Sequence, residues 1–156
     1  MDTPWLDDEQ RQAWIKLVAV VELLPGVLDA QLRRDSGLTH FEYFVLAMLS
    51  EASGRMLRMT SLAQRTNSTL PRLSHVVRRL EDRDLVRRLP CPEDGRATNA
   101  ELTEAGWAAV EAAAPGHVVN VRNHVVDVLS PTQIGQLDEL MAALLSRLDP
   151  EGHMAP

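Results

Sequence analysis

The residues 68–83 read STLPRLSHVVRRLEDR. Wound as a helix at about 100° per residue, this segment puts Leu70, Leu73, Val77 and Leu80 on one side. Ser68, Arg72, His75 and Arg79 fall on the other, flanked by Pro71 and Arg78. One face is core and the opposite face is an array of hydrogen-bond donors. An arginine fork matches O6 and N7 of guanine, Ser and His bond base edges or phosphates, and a proline ring lies against a thymine methyl. The composition therefore suits a helix lodged in a major groove. A solvated amphipathic helix carries the same pattern, and a second feature separates the two. Asp94, Gly95 and Arg96 make a tight turn that projects one arginine, with the aspartate placed to orient the guanidinium by a charge-assisted bond. Such an arginine fits a narrow, negatively charged minor groove; the bland alternative is a surface ion pair of little energetic value.

Charge distribution supports the first reading. From Arg55 to Asn99 there are ten basic residues and five acidic, a net +5, whereas the remainder has six basic and seventeen acidic, a net −11. Together these make the −6 of the whole chain. An acidic framework thus carries a basic middle, the electrostatic footprint of a polyanion-binding module. The 156 residues, 45% hydrophobic and 24% charged, predict one globular domain with a sizeable core. The single cysteine, Cys91, excludes an intramolecular disulfide and a cysteine-rich zinc site. The polar, acidic start from Met1 to Gln12 predicts no signal peptide, and every apolar run, Leu17 to Val21 included, is too short to span a bilayer. A cytoplasmic protein without membrane contact is expected.

The elements that must position these residues are legible from periodicity and caps. Trp14, Leu17, Val18, Val21 and Leu24 predict a first helix from about Asp8 to Arg34, bent at Pro25 and Gly26. Thr39 and Glu42 form a capping box for a second helix that buries Phe41, Phe44, Val45, Met48 and Leu49 and stops near Ser53 and Gly54. A short helix from Thr60 to Thr66, with Leu62 and Ala63 inward, then turns at Asn67 and Ser68 into the donor-bearing helix. This is helix-turn-helix spacing. Val86 to Leu89 and Thr98 to Leu102 have strand character around a polar turn. Thr103 caps a long helix, interrupted or kinked at Pro115 and Gly116. Ser130, Pro131 and Gln133 start a last helix whose Ile134, Leu137, Met141, Leu144 and Leu148 form a seam spaced 3, 4, 3 and 4. The expected fold is mostly α with a small β-hairpin wing. Residues 37–114 make a winged helix-turn-helix, 1–36 and 115–150 make dimerisation helices, and 151–156 are a tail.

The segment LAQRTNSTLPRLSHVVRRLEDRDLVRRLPCPEDGRATNAELTEAG, from Leu62 to Gly106, resembles the MarR transcriptional regulators. The LExxxLVxR block at Leu80 to Arg88, the DxR wing at Asp94 to Arg96 and the LTxxG at Leu102 to Gly106 carry the likeness, which extends from Trp14 to Leu148. It implies an obligate homodimer with interlocked first and last helices, a recognition helix in the major groove and a wing in the minor groove. By position it implies base-proximal roles for Pro71, Arg72 and His75, a wing pair of Asp94 and Arg96, and phosphate or base contacts from Ser68 and Thr69. Two positions depart from the family pattern. Asp84 stands where glycine commonly follows the recognition helix, and Gly95 replaces the basic residue often found between the wing Asp and Arg. A left-handed turn at Asp84 is then made by a residue that tolerates it less well than glycine.

The resemblance also implies a releasing ligand, small and aromatic, in a cleft between the dimer helices and the winged helix. Trp14, Leu17, His40, Tyr43, Phe44 and Trp107 are the candidate lining; each is equally a core residue by spacing. Cys91 lies close in sequence to Arg87 and Arg88, which would lower its pKa. Its position in the wing does not carry over the peroxide-sensing role that some relatives give a cysteine near the first helix. His117 and His124 lie seven apart on one helical face without an evident third metal ligand, so neither metal nor cofactor is expected. There is no phosphate loop, dinucleotide fingerprint, HExxH or GxSxG, which argues against an enzyme. Two functions remain: a repressor acting as a homodimer on a pseudo-palindromic operator in double-stranded DNA, and a winged helix used for protein contact or antirepression.

Overall fold

The computed structural model describes residues 2–154 and contains six helices and a three-stranded sheet among them. Helix α1 spans Asp8–Ser36, started by a capping box between Asp7 and Gln10 and ended by Gly37 at φ 64°. Pro25, expected to bend this helix, lies inside one continuous helical element. Helix α2, His40–Glu51, begins with the expected box: the Thr39 hydroxyl accepts from the Glu42 amide and the Glu42 carboxylate accepts from the Thr39 amide, each at 2.9 Å. A 3-10 turn at Ser53–Arg55 leads to strand β1, Met56–Arg58, and helix α3, Met59–Arg65. The turn through Asn67, left-handed at φ 48°, joins α3 to helix α4, Leu70–Glu81.

Strands β2, Val86–Pro90, and β3, Thr98–Leu102, form the wing; β1 joins the other side of β3, giving the antiparallel order β1-β3-β2. The third strand was not anticipated, because three residues are too few to display a period of two. Helix α5, Glu104–Val121, opens with Thr103 as N-cap and runs through Pro115 without interruption. It ends in a π-helical turn at Arg122–Val126, where the break expected at Pro115 and Gly116 is displaced by about two helical turns. Helix α6, Pro131–Leu148, starts with the expected box of Ser130 and Gln133. Of the tail, residues 155 and 156 lie outside the described residues; the amides of His153 and Met154 turn back onto the Asp149 carboxylate.

The core gathers Leu32, Leu38, Leu46, Leu49, Leu62, Leu73, Val77 and Leu80, all fully buried or nearly so, beside Val86 and Ala100 of the wing. Helix α2 is turned differently from the expectation. Tyr43, Val45, Leu46 and Leu49 are buried with Glu42, while Phe41, Phe44 and Met48 are only partly covered. Helices α1, α3 and α5 and the sheet all contact α2, so a single apolar stripe does not define its buried side. Leu70, expected in the core with Leu73, is 45% exposed at the first turn of α4. Helix α6 buries none of its residues and touches the rest of the chain only marginally. No helix among the described residues is long and apolar enough to cross a membrane.

Candidate nucleic-acid interface

Helix α4 is built to present its outer face. Thr69, rather than Ser68, is the N-cap, its hydroxyl accepting from the Arg72 amide at 3.4 Å, and Pro71 occupies the first turn where no donor is lost. Leu73, Val77 and Leu80 hold the opposite face in the core, leaving Pro71, Arg72, His75, Arg78 and Arg79 exposed. Beside α4, a groove of about 590 Å³ opens between its first turns and the wing, bordered by Leu70, Pro71, Ser74 and three arginines, Arg58, Arg88 and Arg96. Of the expected helix residues only Pro71 borders this concavity with the wing arginine Arg96; Arg72, His75 and Arg79 lie outside its lining, on the exposed face of α4.

Two of those arginines were not singled out from sequence. Arg88 is clamped by Glu81, whose carboxylate accepts from the Arg88 amide at 3.0 Å and from its guanidinium at 2.8 and 3.1 Å. Ser74 accepts a further bond from Arg88 at 3.0 Å. These bonds hold the Glu81 carboxyl below its ordinary pKa. The glutamate and the last arginine of the LExxxLVxR block are thus partners, fastening the end of α4 to the start of the wing. Arg58 lies on the unanticipated β1, with Nη2 3.6 Å from Cys91 Sγ. The signal for Arg88 was present in the motif spacing; for Arg58 there was none.

The wing turn works differently from the expected ion pair. Asp94 Oδ1 accepts from the backbone amide of Arg96 at 3.1 Å, and the Asp94 carbonyl accepts from the Ala97 amide at 2.9 Å. The aspartate shapes the turn and leaves the exposed Arg96 guanidinium without a carboxylate partner among the described residues. Cys91 is buried, and its thiol is held below its ordinary pKa by the Glu93 and Asp94 amides and by Arg58, not by Arg87 or Arg88. Arg87 pairs with Glu101 across the sheet.

On the other flank, α4 leans on α2. The Arg79 guanidinium lies 3.1 Å from the buried Glu42 carboxylate, which Arg83 approaches at 4.0 Å. The Arg72 guanidinium stacks 4.3 Å from the centroid of the Phe41 ring. Ser68 sits in the turn with its hydroxyl on the Thr69 carbonyl.

This chain matches the MarR family model over residues 38–98. It is 42% identical to Sco3205, a MarR family transcriptional regulator from Streptomyces coelicolor solved in complex with DNA, over 96% of this chain and 93% of that one, with a TM-score of 0.91. The chain belongs to the MarR family. AbsC, a second MarR family regulator of Streptomyces coelicolor, is 38% identical over 94% of this chain and 98% of its own, with a TM-score of 0.88. MepR of S. aureus, solved with DNA, shares the fold at 23% identity, with 85% and 95% of the two chains covered and a TM-score of 0.76. Comparison with curated proteins gives no match. The winged helix-turn-helix of this MarR protein is accordingly α2 to β3, completed by the third strand.

The six residues expected to line an effector cleft separate into three places within one chain. His40, Phe44, His117 and Tyr43 meet where α2 packs on α5. His40 stacks on Phe44 and on His117 at 6.4 and 6.3 Å between centroids, and Tyr43 lies 4.7 Å from His117. Burial lowers the pKa of both histidines, His40 adding to the effect on His117, and raises that of Tyr43. The Nδ1 atom of His117 and Oε1 of Gln31 are buried without a hydrogen-bond partner among the described residues. Trp107 instead packs at the wing end of α5 beneath the Arg55 guanidinium, 3.9 Å from its ring centroid. Trp14 and Leu17 lie 15 and 12 residues before Asp29, which bonds the His40 amide, about 18 to 22 Å along a rigid helix. His124 does not join His117; its Nδ1 is 2.9 Å from the Asn120 carbonyl, and no three His, Cys, Asp or Glu among the described residues converge as a metal site.

Proposed function

We propose that this MarR protein is a transcriptional repressor that acts in the cytoplasm as a homodimer on a pseudo-palindromic operator, and that it is not an enzyme. The observation that carries the reading is the exposed face of α4, with Pro71, Arg72, His75 and Arg79, beside a groove that Pro71 shares with the wing residue Arg96 and with Arg58 and Arg88. Pro71, Arg72 and His75 face bases in the major groove. Ser68, Thr69 and Arg79 sit where phosphates or flanking bases pass, and Asp94 shapes the turn from which Arg96 enters the minor groove. Residues 37–114 supply this surface, while 1–36 and 115–150 supply the dimer. The MarR relative in complex with DNA supports this reading over a winged helix devoted to protein contact.

The homodimer is supported by helices whose apolar residues have nowhere to go in one chain. Trp14, Ile15, Val20, Val21 and Leu23 of α1, and Leu140, Leu144 and Leu148 of α6, are exposed. Two copies would place their recognition helices in half-sites about 10 bp apart. A small aromatic effector would enter at the cluster of His40, Tyr43, Phe44 and His117, where the unpartnered His117 nitrogen offers a polar contact amid aromatic walls.

Selection of bound duplexes from a random pool, followed by anisotropy titration of the winner over a salt series, tests the function. An enriched inverted repeat with affinity falling steeply as salt rises is expected. No enrichment with a shallow salt response would move the protein to the class of protein-contact modules. Arg96→Ala should weaken operator binding at fixed salt by about 1 to 3 kcal/mol, and an unchanged dissociation constant would remove Arg96 from the interface.

A further inference from the structure

Two arginines of α4 lean on α2, and they do so through different chemistry. Arg79 spends N–H donors on the Glu42 carboxylate, 3.1 Å away. Arg72 instead lays its guanidinium over the Phe41 ring, 4.3 Å from the centroid, and among the described residues no hydrogen bond or ion pair occupies its side-chain nitrogens. A guanidinium stacked on a ring uses its π face, while its N–H bonds radiate in its own plane. The donor fork that pairs with a guanine edge therefore remains available while the long side chain is confined. Phe41 is itself only partly covered, at the start of α2, where the Thr39 box fixes the helix end and packing against the core fixes the helix. The ring is a rigid shelf on a neighbouring helix.

We propose that Phe41 is a positioning residue for sequence readout: it orders Arg72 before DNA arrives and so sharpens the preference for the base that Arg72 contacts. This rests on the reading of Arg72 as a base-facing residue. An unstacked arginine must lose rotamer freedom on binding, whereas one held on the ring has already lost part of it. Phe41 need not touch DNA to act in this way.

The test is a double-mutant cycle on the duplex recovered by selection, read by anisotropy at fixed salt. Melting curves check that each variant folds. Phe41→Met keeps side-chain bulk without a ring face, Phe41→Tyr keeps the ring, and Arg72→Lys keeps the charge without the planar fork. Phe41→Met is expected to weaken binding about two- to fivefold, the range of an exposed cation–π contact. It should also flatten the preference at one base position per half-site. Phe41→Tyr should bind like the parent, and Phe41→Met should have no further effect once Arg72 is Ala. Equal losses from Phe41→Met in both backgrounds, or none in either, overturn the proposal while leaving Arg72 as a reader. An Arg72→Ala variant that binds as tightly and selectively as the parent overturns the reading of Arg72 itself, and the role of Phe41 with it.

Discussion

Single residues carry constraints that their types alone only hint at. Gly106, the last residue of the LTxxG motif, is in ordinary helical backbone, yet a methyl group there would lie 2.1 Å from the Leu85 carbonyl oxygen and 2.5 Å from Leu102 Cδ1. Glycine is required because the first turn of α5 meets the backbone leading into the wing. Gly106→Ala should cost about 3 kcal/mol, the upper range for overpacking a core, measured by chemical denaturation; a loss below about 0.5 kcal/mol would mean the turn relaxes freely. Asp84 is the reverse case. It adopts φ 58°, a left-handed conformation that glycine tolerates better, while its carbonyl accepts from the Thr103 hydroxyl at 2.6 Å. Asp84→Gly should keep that bond and relieve the left-handed strain, raising stability by about 0.5 to 1 kcal/mol after the entropic cost of glycine. Lower stability would show that the aspartate side chain contributes more than the strain costs.

At the scale of elements, the first turn of α2 connects the two regions proposed to bind effector and DNA. His40 faces α5, Phe41 lies under Arg72, and Glu42 caps its own helix while approaching Arg79 and Arg83. The helix thus touches the proposed effector cluster on one side and the recognition helix on the other. The cluster also makes stability depend on pH. Burial lowers the pKa of His40 and His117, although Asp29 pulls His40 the other way. The folded state therefore binds fewer protons than the unfolded chain below the ordinary imidazole value of 6.5. Stability is intact above that pH and declines as pH falls through it, until the folded-state values are passed. Melting temperature should drop between pH 7.5 and 5.5, and the His40→Gln/His117→Gln double variant should lose most of that drop. An equal pH response in parent and variant would place the sensitivity elsewhere; the Asp29 carboxyl, held below 3.8 first by the His40 amide and then by Arg33, acts in a more acidic range.

At the scale of the whole molecule, the distribution of apolar surface is the informative quantity. The winged helix closes its own core, whereas α6 leaves Leu140, Leu144 and Leu148 at 62%, 41% and 78% exposure and buries nothing. Ile134, Leu137, Met141 and Leu145 are half-covered, so within one chain the inward stripe runs through Leu145 and the outward one through Leu144. Both stripes are apolar, as an arm enclosed on two sides by a partner requires. Leu144→Asp should shift the protein to monomers or unfold it, since an unpaired charge in an apolar interface is costly. Sedimentation velocity showing a folded dimer would move the interface away from this face.

The sequence by itself determined the parts governed by neighbours along the chain. The capping boxes at Thr39 and Ser130, the apolar spacing of Leu73, Val77 and Leu80, and the turn chemistry from Asp94 to Arg96 are local energies, written within a few residues of where they act. So was the order of helices and wing, while the left-handed turn at Asp84 was implied by the MarR resemblance. The tertiary structure decided what depends on residues distant in sequence. It supplied β1 beside β3, Arg58 and Arg88 in the groove, and Phe41 beneath Arg72, and it separated Trp14 and Trp107 from the histidine cluster. A strand of three residues has no periodicity, and a stacked ring thirty-one positions away leaves no local signature. Such contacts exist only after the core has set the elements at fixed angles and distances.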